Sequence, residues 1–442
     1  MNFSRLNRLR HLWLMLTLLG LLALTSVSMA QDDSSADDAS DEAAPPILDL
    51  LSTVPANVSF TASELIGFSD FNAAAAARGL TDYEIWADFA ADLEADALNA
   101  KVLLQSLPLS GFPGGQYLIT GGPEMPQVMG FDFFDIDTAL SYGQPPEQVY
   151  VFSGAFDTDQ IDAAVTANGY VRDDLDETPY WCSEEGCNAG MKQDFANRNP
   201  ANFFGGDLGR RFPFVQLGDH LVASPVQRRV EAAAATYTDD GQSLADDPRF
   251  AAAVSAMYGV FTDIGVEQPL LREAYFVPPD AISGIDPFAI TRMSPEQLEA
   301  LKERLETGDE NPLPVYQLAV LTDFGSADYQ YAQVVLIYAS EADAQTATEI
   351  IPQRLETMQS MANGRPFQDL FADREMEMLD AVVYEDEVTG QYAAVFTFQY
   401  PAAPELSEDG RAVRAGLGYH LFVNMLMSRD LYWLAPEVLM PE

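Results

Sequence analysis

The spacing of apolar positions in the first half of the chain predicts alternating strands and helices. Val149–Phe152 is a continuous apolar run typical of a buried strand, and Asp157 follows it at the N-cap position of a helix that ends at Gly169. Two further apolar runs, Phe212–Leu217 and Leu221–Ser224, are joined by a short turn, as in a β-hairpin. This order of elements indicates a largely antiparallel sheet with helices packed on one face.

Capping residues and helical spacing of apolar side chains indicate further helices. Thr81 begins a capping box, and the apolar positions behind it predict a helix from Asp82 to about Ala95. The same criteria predict helices over residues 73–77, 226–237 and 243–257, and a strand or an extended entry over residues 58–66. Residues 111–122 are rich in glycine and predict a loop.

The second half of the chain shows the same type of pattern. Ser294 and Ser340 each stand at the N-cap position of a predicted helix, and Pro352 predicts a kink in the second one. Strands are predicted over residues 315–321, 331–338, 382–385 and 392–400. A helix is predicted over residues 411–427, and we expect it to dock onto the globular body; contact with a partner or a membrane surface is the alternative.

These patterns predict an α+β fold made of two units of largely antiparallel sheet, with helices packed on one face. The predicted domains cover residues 47–264 and 265–405, and a helical tail covers residues 406–442. Gly130–Phe134 resembles Gly284–Phe288, which hints at a duplication, although chance similarity explains such short matches equally well.

The first thirty residues have the pattern of an export signal. Three arginines precede the apolar run Leu12–Leu24, and the signal-peptidase pattern Ser28-Met29-Ala30 follows it. We expect cleavage after Ala30, and an uncleaved anchor is the alternative. Residues 31–46 are predicted to be an acidic disordered linker. The protein is therefore expected to be secreted or extracytoplasmic, in the periplasm or at the cell surface.

The charge of the chain limits its partners. It has 68 acidic and 23 basic side chains, which give a formal net charge of −45 at pH 7. Such a chain repels nucleic acid and anionic lipid, so cations, basic proteins or neutral ligands are the expected partners. No transmembrane span is expected after signal cleavage. A saline habitat and a GC-rich genome explain the shortage of lysine equally well.

Cys182 and Cys187 are the only cysteines of the sequence. In an oxidising compartment we expect a disulfide between them. Two thiolates alone do not make a structural zinc site, and the redox spacing Cys-x-x-Cys is absent.

Several short motifs follow one another between residues 151 and 257. A strand leads into Gly154-Ala155-Phe156-Asp157, a helix ends in Asn168-Gly169-Tyr170, a hairpin lies near Leu217–Val222, and Ser243-Leu244-Ala245-Asp246-Asp247-Pro248 follows. In this order the motifs resemble a module of exported bacterial proteins of unknown function. The resemblance implies an α+β fold and an envelope or secreted setting, and it assigns no catalytic residue.

Motifs for catalysis are lacking in this sequence. It has no GxSxG elbow, no HExxH helix and no GxxxxGK[ST] phosphate loop. His220 is predicted in a hairpin turn and His420 on a helix, so both are expected to be structural or surface residues. Carboxylates are too numerous for the sequence to single out a catalytic pair.

Two acidic clusters are candidates for binding Ca²⁺, the one cofactor considered. Their residues are Asp132, Asp135 and Asp137 in the first and Asp173, Asp174 and Asp176 in the second. Neither cluster fits the EF-hand spacing. Helix capping is the alternative for the first, and an exposed acidic loop is the alternative for the second.

Four aromatic residues are candidates for ligand contact. Tyr180 and Trp181, and also Phe203 and Phe204, lie in long irregular stretches where loops could present rings to a sugar or a peptide. The alternative is that these rings seal a domain edge.

Taken together, the sequence favours an exported, non-catalytic binding or scaffolding protein of the bacterial cell envelope or extracellular space, with no ligand identified. An extracellular hydrolase that uses paired carboxylates is the alternative. A buried carboxylate pair in a deep cleft would favour the hydrolase, whereas a shallow surface with aromatic loops would favour the binding protein.

Overall fold

The structure of the protein is a computed structural model. It describes residues 45–58, 60, 64–80, 83–108, 110, 121–175, 177–238, 241–267, 269–283, 312–362, 364–407 and 410–436. Several predicted features lie outside the described residues: the signal peptide, residues 31–44 of the linker, the loop over residues 111–120, Gly284–Phe288 and the helix expected to begin at Ser294.

Twelve α-helices and thirteen strands occur in the described residues. The helices are α1 (Pro46–Leu51), α2 (Phe71–Ala76), α3 (Trp86–Glu94), α4 (Leu98–Leu104), α5 (Met125–Met129), α6 (Thr158–Ala167), α7 (Gln227–Thr238), α8 (Pro248–Asp263), α9 (Pro279–Ser283), α10 (Glu341–Thr357), α11 (Phe367–Ala372) and α12 (Leu417–Met427). The strands are β1 (Ile66–Asp70), β2 (Ile136–Tyr142), β3 (Val149–Gly154), β4 (Tyr170–Leu175), β5 (Thr178–Ser183), β6 (Phe214–Leu217), β7 (His220–Ala223), β8 (Leu270–Val277), β9 (Leu318–Gly325), β10 (Tyr329–Tyr338), β11 (Glu377–Met378), β12 (Val382–Asp386) and β13 (Gln391–Pro401).

The strands form a single antiparallel sheet. Its order is β11–β13–β10–β9–β8–β1–β2–β3–β7–β6–β5–β4, and β12 also pairs with β13. This arrangement confirms the predicted α+β class and the antiparallel pairing. Strand β8 follows the predicted domain boundary at residue 265, and it pairs with β1 on one side and β9 on the other. The sheet therefore continues through both halves of the chain.

The strand order repeats about the central β1–β8 pair. On one side β2 and β3 follow β1, and the hairpin β6–β7 pairs with β3. On the other side β9 and β10 follow β8, and the hairpin β12–β13 pairs with β10. Helix α6 follows β3 in the chain, and α10 follows β10. The two halves thus share one topology, which duplication of a single unit would produce.

Helices cover both faces of the sheet because many strands are apolar on both sides. In β10, Val335 and Ile337 belong to one buried cluster, whereas Val334 and Leu336 belong to another. The first face is covered by α1, α7 and α8. The second face carries two separate clusters, one with α2 to α6 and one with α9 to α12. The sequence pattern placed helices on one face only, and the second apolar side of strands such as β10 accounts for the difference.

Local signals mark several element ends at the predicted positions. Asp157 Oδ1 accepts a hydrogen bond from Gln160 N at 2.9 Å and caps α6, after which Gly169 takes a φ of +88°. Ser340 caps α10, and Pro352 lies within that helix.

Other elements begin later than their sequence patterns predict. Helix α8 begins at Pro248 rather than residue 243, because residues 243–246 form a separate capped 3₁₀ turn. Helix α12 begins after Gly416, whose φ of +72° is incompatible with continuing a helix back to residue 411. Strand β1 begins at Ile66, the last residue of the stretch predicted to be a strand or an extended entry, and residues 59 and 61–63 of that stretch lie outside the described part of the chain.

The C-terminal segment packs onto the body of the protein. Trp433 and Phe422 are buried in the same apolar cluster. Arg354 Nη1 donates hydrogen bonds to the carbonyl oxygens of Trp433, at 3.2 Å, and Ala435, at 2.8 Å. Among the described helices, none has both the length and the apolar character needed to cross a membrane.

Candidate functional site

Residues 194–211, between the two cysteines and β6, fold into a compact series of turns that we call the pocket loop. Asn199 N donates a hydrogen bond to Gly206 O at 2.9 Å. A Cβ on Gly206 would lie 2.1 Å from Asn199 O, and a Cβ on Gly209, whose φ is +68°, would lie 1.8 Å from Asp194 O. Glycine at these two positions therefore lets the loop close tightly on itself.

Aromatic side chains anchor the pocket loop to the sheet. Phe204 is buried, and its ring centroid lies 4.8 Å from that of Phe214 in β6. Trp181 of β5 stacks on the same ring of Phe214, also at 4.8 Å. Asn202 Nδ2 donates a hydrogen bond to Tyr170 Oη in β4 at 3.3 Å. These contacts fix the pocket loop against β4, β5 and β6.

The pocket loop, α5 and the end of α6 surround a pocket of about 470 Å³, which we call the arginine pocket. This volume lies within the range of small-molecule sites. Its charged and amide side chains are Arg198, Arg210, Arg211, Glu124, Asn168, Asn197, Asn199 and Asn202. Three positive charges and one negative charge give the lining a formal charge of +2, in a chain whose net charge is −45.

The three arginines of the pocket form no ion pair with any other described residue. Arg198 Nε donates to Asp207 O at 2.5 Å, and Arg211 Nε donates to Asn168 O at 3.1 Å. Arg210 Nε is buried and has no hydrogen-bond partner in the described part of the chain. Six arginines elsewhere pair with carboxylates: Arg172, Arg228, Arg229, Arg249, Arg272 and Arg365. Guanidinium groups bind carboxylate and phosphate oxygens in pairs, so these three groups, which have no carboxylate partner among the described residues, have the chemistry to bind an anion.

The asparagines of the pocket add both donors and acceptors. Asn168 Nδ2 donates to Ala164 O at 2.8 Å, and Asn197 Nδ2 donates to an Asp194 oxygen at 2.8 Å. No described residue donates to either amide oxygen, so both are acceptors that a ligand can use. Asn199 uses its amide oxygen to accept from Ala201 N at 3.0 Å, which leaves its NH₂ group as an open donor. The lining can therefore bind a ligand that both donates and accepts hydrogen bonds.

Comparison with known proteins gives little further information. No protein-family model matches the chain, and no curated protein is significantly similar to it. Two crystal forms of the Treponema protein TP0453 are similar at 9% identity. Form III has a TM-score of 0.29 over 78% of this chain and 93% of that one, and form I has 0.28 over 80% and 92%. The likeness is slight. It establishes neither a common fold nor a common function.

The four aromatic residues predicted to meet a ligand lie mostly in the core. Tyr180 and Trp181 are neighbours on β5, so they point to opposite faces of the sheet, and both are buried. Phe204 is also buried, and Phe203 is half-buried. Three of these rings are therefore buried: Trp181 and Phe204 help to anchor the pocket loop, and Tyr180 packs on the other face of the sheet. Ligand contact by the four rings stays a prediction.

The first acidic cluster caps turns. Both carboxylate oxygens of Asp132 accept from Trp86 N at 3.0 Å, and Asp135 accepts from Asp132 N at 2.6 Å. Asp137 accepts from Asn72 Nδ2 at 2.7 Å. Burial raises the pKa of Asp135. Within the described residues, no group of three His, Cys, Asp or Glu side chains is arranged to hold a metal ion. Calcium binding stays a prediction.

The second acidic cluster lies on the edge strand β4. Asp173 and Asp174 are exposed there, and Asp176 lies outside the described residues. Arg172 Nε is 3.7 Å from Asp174 Oδ1. Charged side chains on an edge strand hinder pairing with another chain, which is a structural use for this cluster.

The predicted disulfide is confirmed: Cys182, at the end of β5, is bonded to Cys187. It closes the turn that leads from the sheet towards the pocket loop. A disulfide of this kind fits a protein that works in an oxidising compartment.

A buried group of polar and charged side chains, which the sequence analysis did not single out, lies on and around strands β8 and β9. We call it the β8–β9 cluster; its members are Arg272, Glu273, Asp323, Ser110, Tyr400 and Tyr419. Arg272 and Asp323, each with 2% of its side chain exposed, form an ion pair with an Nη2–Oδ2 distance of 2.6 Å. Tyr400 Oη donates to Asp323 Oδ1 at 3.3 Å. Glu273 stands opposite Asp323 in register, and its Oε2 accepts from Ser110 N at 3.0 Å and from Ser110 Oγ at 2.5 Å.

Helix α12 contributes Tyr419 to the β8–β9 cluster, where its hydroxyl lies 2.7 Å from Ser110 Oγ. Burial raises the pKa of Asp323, and the charge of Arg272 only partly opposes this effect. The cluster ties β8, β9, β13 and α12 together. A sequence signal did exist, because Arg272, Glu273 and Asp323 interrupt apolar strand sequences.

His220 and His420 both have partners within the protein, although His220 lies on a strand and not in the predicted hairpin turn. His220 lies at the start of β7, and its Nε2 is 3.3 Å from Asp49 Oδ2. His420 Nε2 accepts a hydrogen bond from Arg414 Nε at 3.0 Å. Burial, followed by the charge of Arg414, lowers the pKa of His420 to about 4.

The sequence analysis also missed the arginine pocket. Its signal was the density of arginine and asparagine over residues 197–211 of a strongly acidic chain. The sequence analysis selected Phe203 and Phe204 in this stretch as candidates for ligand contact, so it pointed to the same loop but on the basis of aromatic rings and not of arginines.

Proposed function

We propose that this chain is an exported, non-catalytic binding protein that holds a small anionic ligand in the arginine pocket. The observation that carries the proposal is the set of three guanidinium groups, Arg198, Arg210 and Arg211, that line one pocket without a carboxylate partner among the described residues. Three like charges repel one another, and a bound anion would offset that repulsion.

The strong negative charge of the whole chain does not argue against an anionic ligand. At physiological ionic strength, charges separated by more than about 8 Å are largely screened. The ligand therefore responds mainly to nearby charges, namely the +2 charge of the lining and the carboxylate of Asp194, which lies 2.8 Å from the amide of Asn197 and lowers the local positive charge. The expectation that the partners are cations, basic proteins or neutral ligands was based on the net charge of the whole chain. Net charge does not show where a local region, such as this pocket, carries the opposite sign.

An exported setting is supported by two features. The sequence begins with the pattern of a signal peptide, and the chain contains a disulfide between Cys182 and Cys187. Such bonds persist in oxidising compartments and are rare in the cytoplasm.

A larger groove is a weaker candidate site. It has a volume of about 590 Å³ and lies between residues 55–57 and the end of α7. Its lining is made of alanine, glycine, proline, threonine and amide side chains and contains no charged residue. Nothing in that lining would select or orient a charged ligand.

The hydrolase alternative has one observation in its favour, the facing carboxylates of Glu273 and Asp323. Both carboxylates are buried, and each is already held by partners inside the protein, Ser110 for the first and Arg272 for the second. A glycosidase needs its two carboxylates to flank a substrate bond. We therefore favour the binding protein.

The test is ligand-induced stabilisation of the purified protein at constant ionic strength. Acetate, citrate and phosphate are the anionic probes, and glucose is the neutral one. By mass action, an anion at 100 times its Kd stabilises the folded state by about 2.7 kcal/mol, which raises the thermal midpoint.

A triple variant provides the decisive comparison. Arg198→Gln/Arg210→Gln/Arg211→Gln, called the pocket triple variant, is expected to lose the anion effect. Its control, Arg228→Gln/Arg229→Gln/Arg365→Gln, removes the same number of charges from arginines paired with carboxylates. The proposal fails if no anion raises the midpoint, or if the pocket triple variant responds as the control does.

A further inference from the structure

We infer that the ligand of the arginine pocket is a sugar acid, a carboxylate carried by a polyhydroxylated ring. This inference rests on the proposed function, since it names the class of anion that the pocket binds. It is drawn from the hydrogen-bonding groups that the lining leaves open.

The open groups of the pocket do not match a simple oxyanion. Phosphate, sulfate and simple carboxylates mainly accept hydrogen bonds, so the guanidinium groups alone would satisfy them. The pocket also presents acceptors, namely the amide oxygens of Asn168 and Asn197 and the carboxylate of Glu124. An oxyanion placed against these acceptors would be repelled, and the acceptors would lose their water without replacement.

Hydroxyl groups match this mixture of open groups. A hydroxyl both donates and accepts, so it can donate to Asn168 or Asn197 and accept from the free NH₂ group of Asn199. A ligand that carries a carboxylate and several hydroxyls would therefore use both parts of the lining. Neutral sugars would leave the arginines without an anionic partner, and simple anions would leave the amide oxygens of Asn168 and Asn197 without a donor.

An exposed aromatic residue precedes two lining residues of the pocket in the chain. Phe195 has 60% of its surface exposed and directly precedes Ala196 and Asn197, which line the pocket. An exposed aromatic face is suited to pack against the apolar C–H face of a sugar ring.

The pocket is also organised before a ligand arrives. The tight approaches at Gly206 and Gly209 and the buried anchor Phe204 hold the pocket loop in place. A preorganised site loses little conformational entropy on binding, which favours specific recognition of a small, polar ligand.

Isothermal titration at constant ionic strength tests the inference. The probes are D-glucuronate and D-galacturonate, the neutral sugars glucose and galactose, and the simple anions acetate and phosphate. We expect each uronate to bind at least tenfold more tightly than acetate, phosphate or the matching neutral sugar. Tetragalacturonate is a further probe. If it binds more tightly than the monomer, the natural ligand is an acidic glycan; if it binds equally, the natural ligand is a free sugar acid. Both results support the inference.

Two variants separate hydroxyl recognition from charge recognition. Asn197→Ala removes an amide acceptor, and we expect it to weaken glucuronate about tenfold while acetate is unchanged. Asp194→Ala is the control, because it breaks the same Asn197–Asp194 hydrogen bond but keeps the Asn197 amide. The ratio of glucuronate to acetate affinity should fall in the first variant and stay constant in the second.

The possible failures are distinguishable. If acetate or phosphate binds as tightly as the uronates, and Asn197→Ala leaves the ratio unchanged, the sugar-acid inference is overturned while anion binding stands. If neutral sugars bind as tightly as uronates and the pocket triple variant still binds them, the carboxylate part is overturned. If none of the probes binds, the proposed function fails together with this inference.

Discussion

The arginine pocket and the β8–β9 cluster use the same side chain in opposite ways. In the cluster, Arg272 meets Asp323 at 2.6 Å, and the pair is neutralised inside the protein. In the pocket, Arg198, Arg210 and Arg211 line an accessible space and have no carboxylate partner among the described residues. Elsewhere in the described residues, arginines that form no ion pair, such as Arg78, donate to several backbone carbonyl oxygens. Three arginines that lack a carboxylate and surround one accessible space are therefore more informative about function than the buried pair.

The largest loss of stability is expected for a change that breaks the buried ion pair of Arg272 and Asp323. Asp323→Ala leaves the guanidinium of Arg272 buried without its partner, and changes of this type cost about 3–5 kcal/mol. Urea unfolding at pH 7 would measure this as a lower midpoint concentration.

A double variant serves as the control for this prediction. Arg272→Met/Asp323→Leu removes both charges, and it is expected to destabilise the protein less than Asp323→Ala alone. A loss below about 1 kcal/mol in Asp323→Ala would mean that the pair contributes no more than a typical surface ion pair.

The free energy of unfolding is predicted to depend on pH through His420, which lies near the β8–β9 cluster. The pKa of His420 falls from 6.5 to about 4 on folding, first through burial and then through the charge of Arg414. The folded state favours the neutral imidazole of His420. Its contribution to the free energy of unfolding is therefore complete above pH 6.5 and is lost as the pH falls through 4. This difference corresponds to about 3 kcal/mol.

The measurement is the free energy of unfolding at pH 7 and pH 4 for the wild type and for His420→Gln. Comparing the two proteins cancels other titrating groups, such as Asp70, whose pKa burial raises to about 6 and whose contribution has the opposite sign. His420→Gln should lose less stability on acidification than the wild type. Equal losses in the two proteins would contradict the prediction.

Elements with local signals were predictable from sequence. Helix α6 and the hairpin β6–β7 are set by a capping aspartate, a glycine stop and a short turn, all within a few residues. Strand β8 was missed because Arg272 and Glu273 interrupt its apolar pattern within a passage rich in glycine and proline.

Neither site could be assembled from sequence alone. The β8–β9 cluster joins Glu273 to Ser110 and Tyr419, which are far apart in the chain and meet only because β8 pairs with β9 and α12 docks beside them. The arginine pocket needs α6 to bring Asn168 next to Arg211. Local spacing carries no information on such long-range contacts.

The rigidity of the pocket loop gives a smaller, local prediction. Gly209→Ala introduces a Cβ 1.8 Å from Asp194 O at a φ of +68°, so it combines backbone strain with a clash. We expect a loss of about 2 kcal/mol and weaker anion binding. Gly265→Ala is the matched control, because its φ is +69° and no atom lies within 4 Å of the new Cβ. It should cost about 1 kcal/mol from strain alone and leave binding unchanged. Equal effects of the two substitutions would show that the pocket loop tolerates the clash.

The smallest effect on stability is predicted for the pocket arginines. The pocket triple variant removes no ion pair within the described residues, but it removes the hydrogen bonds of Arg198 and Arg211 to backbone carbonyl oxygens, so each substitution is expected to lower the free energy of unfolding by no more than about 1 kcal/mol. Part of this change comes from a more negative net charge, and that part should shrink when the salt concentration is raised.

The control triple variant of Arg228, Arg229 and Arg365 changes the net charge equally and also breaks ion pairs with Glu147 and Asp373. It should therefore destabilise the protein more than the pocket triple variant at every salt concentration, while keeping the response to anions that the pocket triple variant loses. The opposite order in unfolding would mean that the pocket arginines support the fold, and the contrast between the arginine pocket and the β8–β9 cluster would no longer hold. We expect the control variant to be less stable but to keep the anion response, and the pocket triple variant to be more stable but to lose it. This result would distinguish arginines that stabilise the fold from arginines that are available to bind a ligand.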